Sequence, residues 1–313
     1  MARFSVAGIE AAAPNIDPVF CRSPQFESEP LGQALGCRVV LKIETMNPVR
    51  CFKGRGADLL VQRAEGPLVC ASAGNFGQAV AYAARKYKLP VTIFAATGAN
   101  PFKVQRMREL GATVMLCGDD FDAAKLAGRD YARSQNVRWV EDGLDVETAI
   151  GAGTIGLELA RAFPDLHAWI IPVGNGALVN GMGCVAKALV PSAAVVGVQA
   201  AGAPAMIESW RAKKLIRYPR TDTTADGIAV REPVPEALDD LAEVLDEGIL
   251  VSEESIAEAM RLLFRVAGLV TEPAGAAGIA ALLENPSRFQ RRRVAVPICG
   301  SNVTTEQMQK WFG

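Results

Sequence analysis

The sequence predicts an α/β fold, two domains each built on a mostly parallel twisted sheet with helices on both faces. Three observations lead there. Short runs rich in Val and Ile alternate with segments of helical spacing. The connections are short and punctuated by Gly, Pro and Asp. Half of the 313 residues are hydrophobic, enough to bury a large core.

Seven runs read as buried strands: "RVVLKI" (38–43), "PLVCA" (67–71), "VTIFA" (91–95), "TVML" (113–116), "HAWIIPV" (167–173), "AVVGVQ" (194–199) and "RVAVPI" (293–298). Between them "NFGQAVAYAARKY", "PFKVQRMREL", "DDFDAAKLAGRDYARSQ", "VETAIGAGTIGLELARAF" and "SEESIAEAMRLLFRVAG" carry helical periodicity. The stretch 211–250 is the least regular and reads as loop around "YPRTDTTADG" and "REPVP". No internal repeat or low-complexity tract interrupts the pattern.

A formal net charge of -1 gives no electrostatic footprint for nucleic acid or an anionic membrane, and no run approaches the length of a membrane span. The start, "MARFSVAGIEAAAPN", lacks a charged head followed by an apolar run, so no secretory signal is expected. Seven scattered cysteines without CxxC spacing suit a reducing cytoplasm better than a disulfide framework or a zinc site. His167 is the only histidine and reads as a loop residue, which leaves a Ser-His or Cys-His mechanism without a base.

Ligands of such sheets sit beyond the carboxyl ends of strands, so the residues that follow each strand are informative. "PVGNGAL" (172–178) sets Gly174 and Gly176 between a strand and a helix. Glycines there let an anion approach the backbone, and the first free N–H groups of the helix point at it. Taken alone, the turn is as readily a plain strand-to-helix connection. "ASAGNFGQ" (71–78) offers Ser72, Asn75 and Gln78 as hydrogen-bonding groups, though simple helix capping accounts for them equally well. "GAGTIG" (151–156) spells a dinucleotide fingerprint but lies inside helical periodicity, where small residues serve close helix packing instead. Lys53, in "NPVRCFKGRGA" (47–57), stands between Phe52 and Gly54 just past a buried strand. It reads either as a solvated helix-start lysine or as a desolvated amine with a lowered pKa, nucleophilic toward an aldehyde.

These motifs, with "TTADGIAV" (223–230), "EPAGAAGIAA" (272–281) and "CGSNV" (299–303), stand in one order. In that order the chain resembles the fold-type-II pyridoxal-phosphate (PLP) enzymes, the tryptophan-synthase-β-like family, and is most similar there to the threonine/serine dehydratases. The resemblance implies a large PLP-binding domain from residues 1–65 with 147–313 and a small substrate-loop domain from 66–146. It implies that Lys53 bonds to PLP, Phe52 backs the ring, and Asn75 faces the phenolic oxygen. Backbone N–H groups of Gly174, Asn175, Gly176, Ala177 and Leu178 would hold the phosphate. Ser72, Ala73, Gly74 and Asn75 would wrap the substrate carboxylate, and Cys299 would face the pyridine nitrogen.

The implied reaction is β-elimination from a β-hydroxy amino acid such as threonine or serine, with Lys53 as general base, giving a 2-keto acid and ammonia. "PVGNG" and "NFG" also resemble threonine synthases, so β- or γ-replacement, as in cysteine or threonine synthase, stays open beside it. "DGIAV" and "EPAGA" favour the dehydratases. A non-catalytic cofactor-binding protein and a dinucleotide-binding oxidoreductase are the readings from other classes.

Departures refine this. Ala73 stands where racemising relatives carry a second serine, so racemisation is not expected as the main activity. "GVQAAGAPA" offers no carboxylate before Glu208, so no metal site is expected. Phe76 replaces a frequent histidine, which makes the side-chain pocket more apolar or differently shaped. Arg50 reads either as a surface residue or as a partner for a second substrate carboxylate. The chain stops soon after "CGSNVTTEQMQKWFG", so isoleucine feedback through a C-terminal domain is not expected. A cytoplasmic homodimer is the expected form.

Overall fold

The structure, a computed structural model, describes residues 3–72 and 74–312. Its strands are β1 (Gln25–Ser28), β2 (Arg38–Ile43), β3 (Leu68–Ala71), β4 (Val91–Ala95), β5 (Thr113–Leu116), β6 (Arg138–Trp139), β7 (Ala168–Pro172), β8 (Ala194–Ala200), β9 (Glu247–Val251) and β10 (Arg293–Ile298). They form a six-stranded sheet in the order β1-β2-β10-β7-β8-β9 and a four-stranded sheet in the order β5-β4-β3-β6. Among the described strands only the β1–β2 pair is antiparallel; the other strand pairings are parallel.

The inner parallel strands are buried on both faces, as their unbroken apolar runs require, whereas β5, read from sequence as buried, lies exposed at the edge of the four-stranded sheet. Every residue of β3 and β7 is buried, and β2 and β10 each emerge only at the first residue. The seven strands read from sequence are all present. Three more were not read. β1 is a short half-exposed edge strand, β6 has two residues, and β9 begins inside the stretch taken as loop.

Local chemistry sets the helix starts. Asn100 accepts from the Phe102 N–H at 2.9 Å ahead of Pro101–Glu109, and Asp120 accepts from Ala123 N–H at 2.8 Å ahead of Phe121–Ser134. "GAGTIG" lies within the helix Val146–Ala162, as its periodicity implied. Its glycines let neighbouring helices touch. A Cβ built on Gly153 would sit 2.5 Å from Ile9, and one built on Gly181 would sit 2.1 Å from the Ala149 carbonyl oxygen.

Beneath the helix Lys53–Gln62 lies a buried charge cluster. Arg55, fully buried, donates to Glu44 at 2.9 Å, Glu158 at 2.6 Å and Thr154 at 3.1 Å, and Lys42 pairs with Glu158. Glu44 directly follows β2 and Arg55 lies two residues past Lys53, so the cluster ties the end of that strand to the start of this helix.

Candidate active site

Lys53 opens its helix with Phe52 as the flanking cap, and its amine lies 5.1 Å from the Phe52 ring centroid. The residue is mostly buried, with 12 % of its side chain exposed. Its amine pairs with Asp142, which sequence reading did not single out. Burial alone would lower the Lys53 pKa; the Asp142 carboxylate reverses this and holds it above the usual lysine value. The expectation of a lysine depressed by desolvation is therefore corrected: in this state the amine carries its proton, because a counter-ion lies beside it.

Asp142 sits in the connection from β6 to the helix Val146–Ala162. Asp145 accepts from the Glu141 N–H at 2.7 Å, and Thr148 accepts from the Gly143 N–H at 3.3 Å. Gly143 has φ +85°, and a Cβ there would lie 2.3 Å from the Asn175 carbonyl oxygen. The connection thus rests directly on the glycine turn, and only glycine permits the approach.

That turn follows β7 and precedes the helix Ala177–Leu189. Gly176 has φ +98°, and a Cβ on Gly174 would sit 2.9 Å from the Gly227 carbonyl oxygen. Among the described residues, the N–H groups of Gly174, Asn175, Gly176, Ala177 and Leu178 find no protein acceptor. Consecutive free donors at a helix N-terminus form an anion cradle.

The turn, Phe52, Lys53, Asn75, Asp142 and Cys299 line one small pocket of about 20 Å³. It shares Lys53, Asn75, Asp142, Asn175 and Gly227 with an adjoining cavity of about 450 Å³, into which Ser72, Gly74 and Phe76 also face. A pyridoxal ring would use the joint space, with its phosphate in the cradle and its aldehyde toward Lys53. The donor set fits that group.

Asn75 Nδ2 donates to Glu272 at 2.6 Å, and its Oδ1 accepts from Asn302 at 2.8 Å, which fixes the amide plane. Glu272 is buried at the start of the helix Pro273–Glu284, and that burial raises its pKa. Ser72 Oγ accepts from the N–H groups of Gly74 at 3.1 Å and Gly77 at 2.8 Å, so it does cap the helix Asn75–Tyr87. Its O–H remains available to an incoming acceptor. Ala73 lies outside the described residues. Cys299 is buried, its thiol 3.6 Å from the Ala274 carbonyl oxygen, and burial pushes its pKa far up, so it stays a neutral thiol.

Lys103 was missed in the sequence because it reads as an ordinary helix lysine. It is buried, its stem passes 2.7 Å from where a Gly74 Cβ would be, and its amine pairs with Asp226. Arg50 is exposed and lines neither cavity. His167 lies just before a strand, accepting from the Arg293 N–H at 3.2 Å, and lines neither cavity.

Residues 16–300 match the family described as pyridoxal-phosphate dependent enzyme. The chain belongs to that family. PLP is its cofactor. The chain is 34% identical to an L-threonine ammonia-lyase of Thermotoga maritima over 307 residues, covering 96% of this chain and 76% of that one. It is 33% identical to a catabolic L-threonine dehydratase of Staphylococcus aureus, covering 96% and 89%. The solved processed form of threonine deaminase isoform 2 from Solanum lycopersicum superimposes with a TM-score of 0.88 at 27% identity, over 98% of this chain and 93% of that one.

Proposed function

We propose that this PLP enzyme removes water from a β-hydroxy amino acid such as threonine or serine and releases a 2-keto acid and ammonia. The observation that carries the reading is one shared pocket, lined both by the Lys53 amine and by the five free N–H groups at 174–178. When bound, the cofactor supplies an electron sink for the bond broken at Cα.

The roles of the protein follow from its side chains. Lys53 would hold the cofactor through its aldehyde, and its amine would serve as general base for the Cα proton. Ser72 O–H, with the backbone at Ala73, Gly74 and Asn75, receives the substrate carboxylate. Phe52 would back the ring, and Asn75, held by Glu272 and Asn302, would offer its amide to the phenolic oxygen. Cys299, a neutral thiol, would face the ring nitrogen without fixing a proton there. A ring left uncharged is the weaker sink, which favours prompt loss of the β-hydroxyl over side reactions.

Residues 66–146 serve as a small domain carrying the substrate loop, against a larger one from 1–65 and 147–313; the four-stranded sheet, confined to 68–139, supports this. A cytoplasmic location is supported by seven free cysteines. A homodimer rests on the family resemblance, and light scattering of the purified protein tests it.

Keto acid release from L-threonine, L-serine and phosphohomoserine is the deciding assay. Turnover of the first two supports elimination. Release of threonine from phosphohomoserine, without keto acid from the other two, would overturn it in favour of replacement chemistry.

A further inference from the structure

Asp142 is more than a neighbour of Lys53. Its side chain is 9 % exposed, one oxygen pairs with the Lys53 amine, and the other, Oδ1, has no protein partner among the described residues. It lines both the glycine-turn pocket and the 450 Å³ cavity, so it stands at the entrance to the first from the second. Its backbone is pinned against Asn175 through Gly143, which keeps the carboxylate at this place.

A buried carboxylate needs a cationic partner. Here that partner is Lys53, the residue that bonds to the cofactor in the reading above, on which this inference rests. With the Lys53 nitrogen engaged by the aldehyde, Asp142 no longer faces a full ammonium. The next cation to enter the cavity is the ammonium group of the amino-acid substrate, which must lose a proton before its nitrogen can attack.

We propose that Asp142 receives the α-ammonium group of the substrate and takes one proton from it, so that a neutral amine reaches the cofactor. One N–H bond breaks, an O–H bond forms on Asp142, and the nitrogen keeps the electron pair. After Lys53 has taken the Cα proton, the proton on Asp142 goes to the β-hydroxyl, whose C–O bond breaks as water departs. Lys53 ammonium and Asp142 carboxylate are then the ion pair that the structure displays. Lys53 returns its proton to the departing product nitrogen as it bonds to the cofactor again.

The other titratable groups around the pair are otherwise engaged. Cys51 and Cys299 are buried thiols, the former pushed up to about 12. Glu272 is bound by Asn75 and Asn302. Across the cavity Lys103 pairs with Asp226, and Lys125 and Arg129 pair with Glu141.

The test compares holoenzyme with Asp142→Asn and with Asp142→Glu, which keeps a carboxylate. Two quantities are followed from pH 6 to 8.5: kcat/KM for L-threonine, and the apparent affinity for L-alanine read from the change in the visible cofactor band. Alanine has no β-hydroxyl, so it isolates entry from elimination. Without Asp142 only free-amine substrate reacts. Both quantities in Asp142→Asn should then climb about tenfold per pH unit. Wild type should change several-fold less over the same range, and Asp142→Glu should follow wild type. Equal pH dependence in wild type and Asp142→Asn would overturn the proposal. Borohydride reduction and peptide mapping of each protein separate it from its parent reading. A label on Lys53 with unchanged pH profiles sinks the Asp142 role alone; a label elsewhere sinks the Lys53 assignment, and this proposal with it.

Discussion

Gly56 and Gly151 meet backbone to backbone: a Cβ on Gly151 would lie 2.3 Å from the Gly56 nitrogen and 2.4 Å from its Cα. Gly56 is three residues past Lys53, on the same helix. The contact therefore sets how far that helix, and the amine at its start, stands from the helix Val146–Ala162 that follows the Asp142 connection. A methyl group at 151 meets backbone, which has no rotamer to escape into. Gly151→Ala should cost about 1–3 kcal/mol through overpacking. It should also weaken cofactor retention, seen as faster loss of the visible band on dilution. A variant with wild-type melting and wild-type retention would remove this contact from the positioning of the site.

Lys53→Arg separates charge from chemistry. Arginine keeps a cation beside Asp142, but its guanidinium does not deprotonate near neutral pH and is no nucleophile toward an aldehyde. The variant should melt within a few degrees of the cofactor-free wild type and release no keto acid from threonine or serine. Measurable turnover would take both covalent and base roles away from Lys53.

Of the two cations in the buried cluster, Arg55 and Lys42, it is Arg55 that pairs with Glu44, and the side chains of both Arg55 and Glu44 are fully buried. Arg55→Ala leaves Glu44 without its cation in a dry site, a loss of about 3–5 kcal/mol by the general behaviour of broken buried pairs. The double change Arg55→Met with Glu44→Met removes both charges and should cost less than Arg55→Ala. Urea denaturation checks the ranking; the reverse order would mean that water reaches the cluster.

The sequence disclosed what periodicity and turn chemistry encode. β2, β4, β5 and β10 begin and end where their apolar runs do, and the helix Asn75–Tyr87 coincides with its periodic segment. The turn at Gly174 and Gly176 was visible as a strand-to-helix glycine pair, but alone it did not distinguish an anion cradle from a plain connection; the order of the motifs around it did. β1 and β6 were not, since Gln25–Ser28 alternates weakly and two residues carry no period. Asp142 and Lys103 were hidden for another reason. An acid in a loop and a lysine on a helix look solvated until folding buries each beside an opposite charge, which lies 89 residues away for Asp142 and 123 for Lys103. The sign of the Lys53 pKa shift went the same way: burial was visible in the sequence, its counter-ion was not.

Cys299→Asp tests the neutral thiol. An ionised carboxylate facing the ring nitrogen would hold a proton there and strengthen the electron sink. Transamination should then rise relative to elimination, measured as the ratio of pyridoxamine-form cofactor to keto acid. Cys299→Ser keeps a neutral hydroxyl and should leave that ratio near wild type. An unchanged ratio in Cys299→Asp would mean that residue 299 does not govern the ring.

The Lys53–Asp142 pair also fixes a direction for alkaline stability. In the cofactor-free protein the folded pKa of Lys53 lies above its ordinary value of 10.5. A raised lysine pKa stabilises the fold fully below the unfolded value, and the contribution disappears as pH rises through the folded one. Lys103, raised by Asp226 and Glu272 against its burial, behaves alike in the same window. Buried thiols such as Cys37, pushed up to about 11, oppose folding once the unfolded thiols ionise, so alkaline unfolding has more than one source. The difference between variants isolates the pair. Without cofactor, the Tm of wild type should exceed that of Asp142→Asn at pH 8, and the gap should close as pH rises above the ordinary lysine value. Loading wild type with PLP engages the Lys53 nitrogen and should shrink the part of the gap that closes with pH. A gap constant from pH 8 to 12 without cofactor would show that Asp142 stabilises the fold through something other than the Lys53 charge.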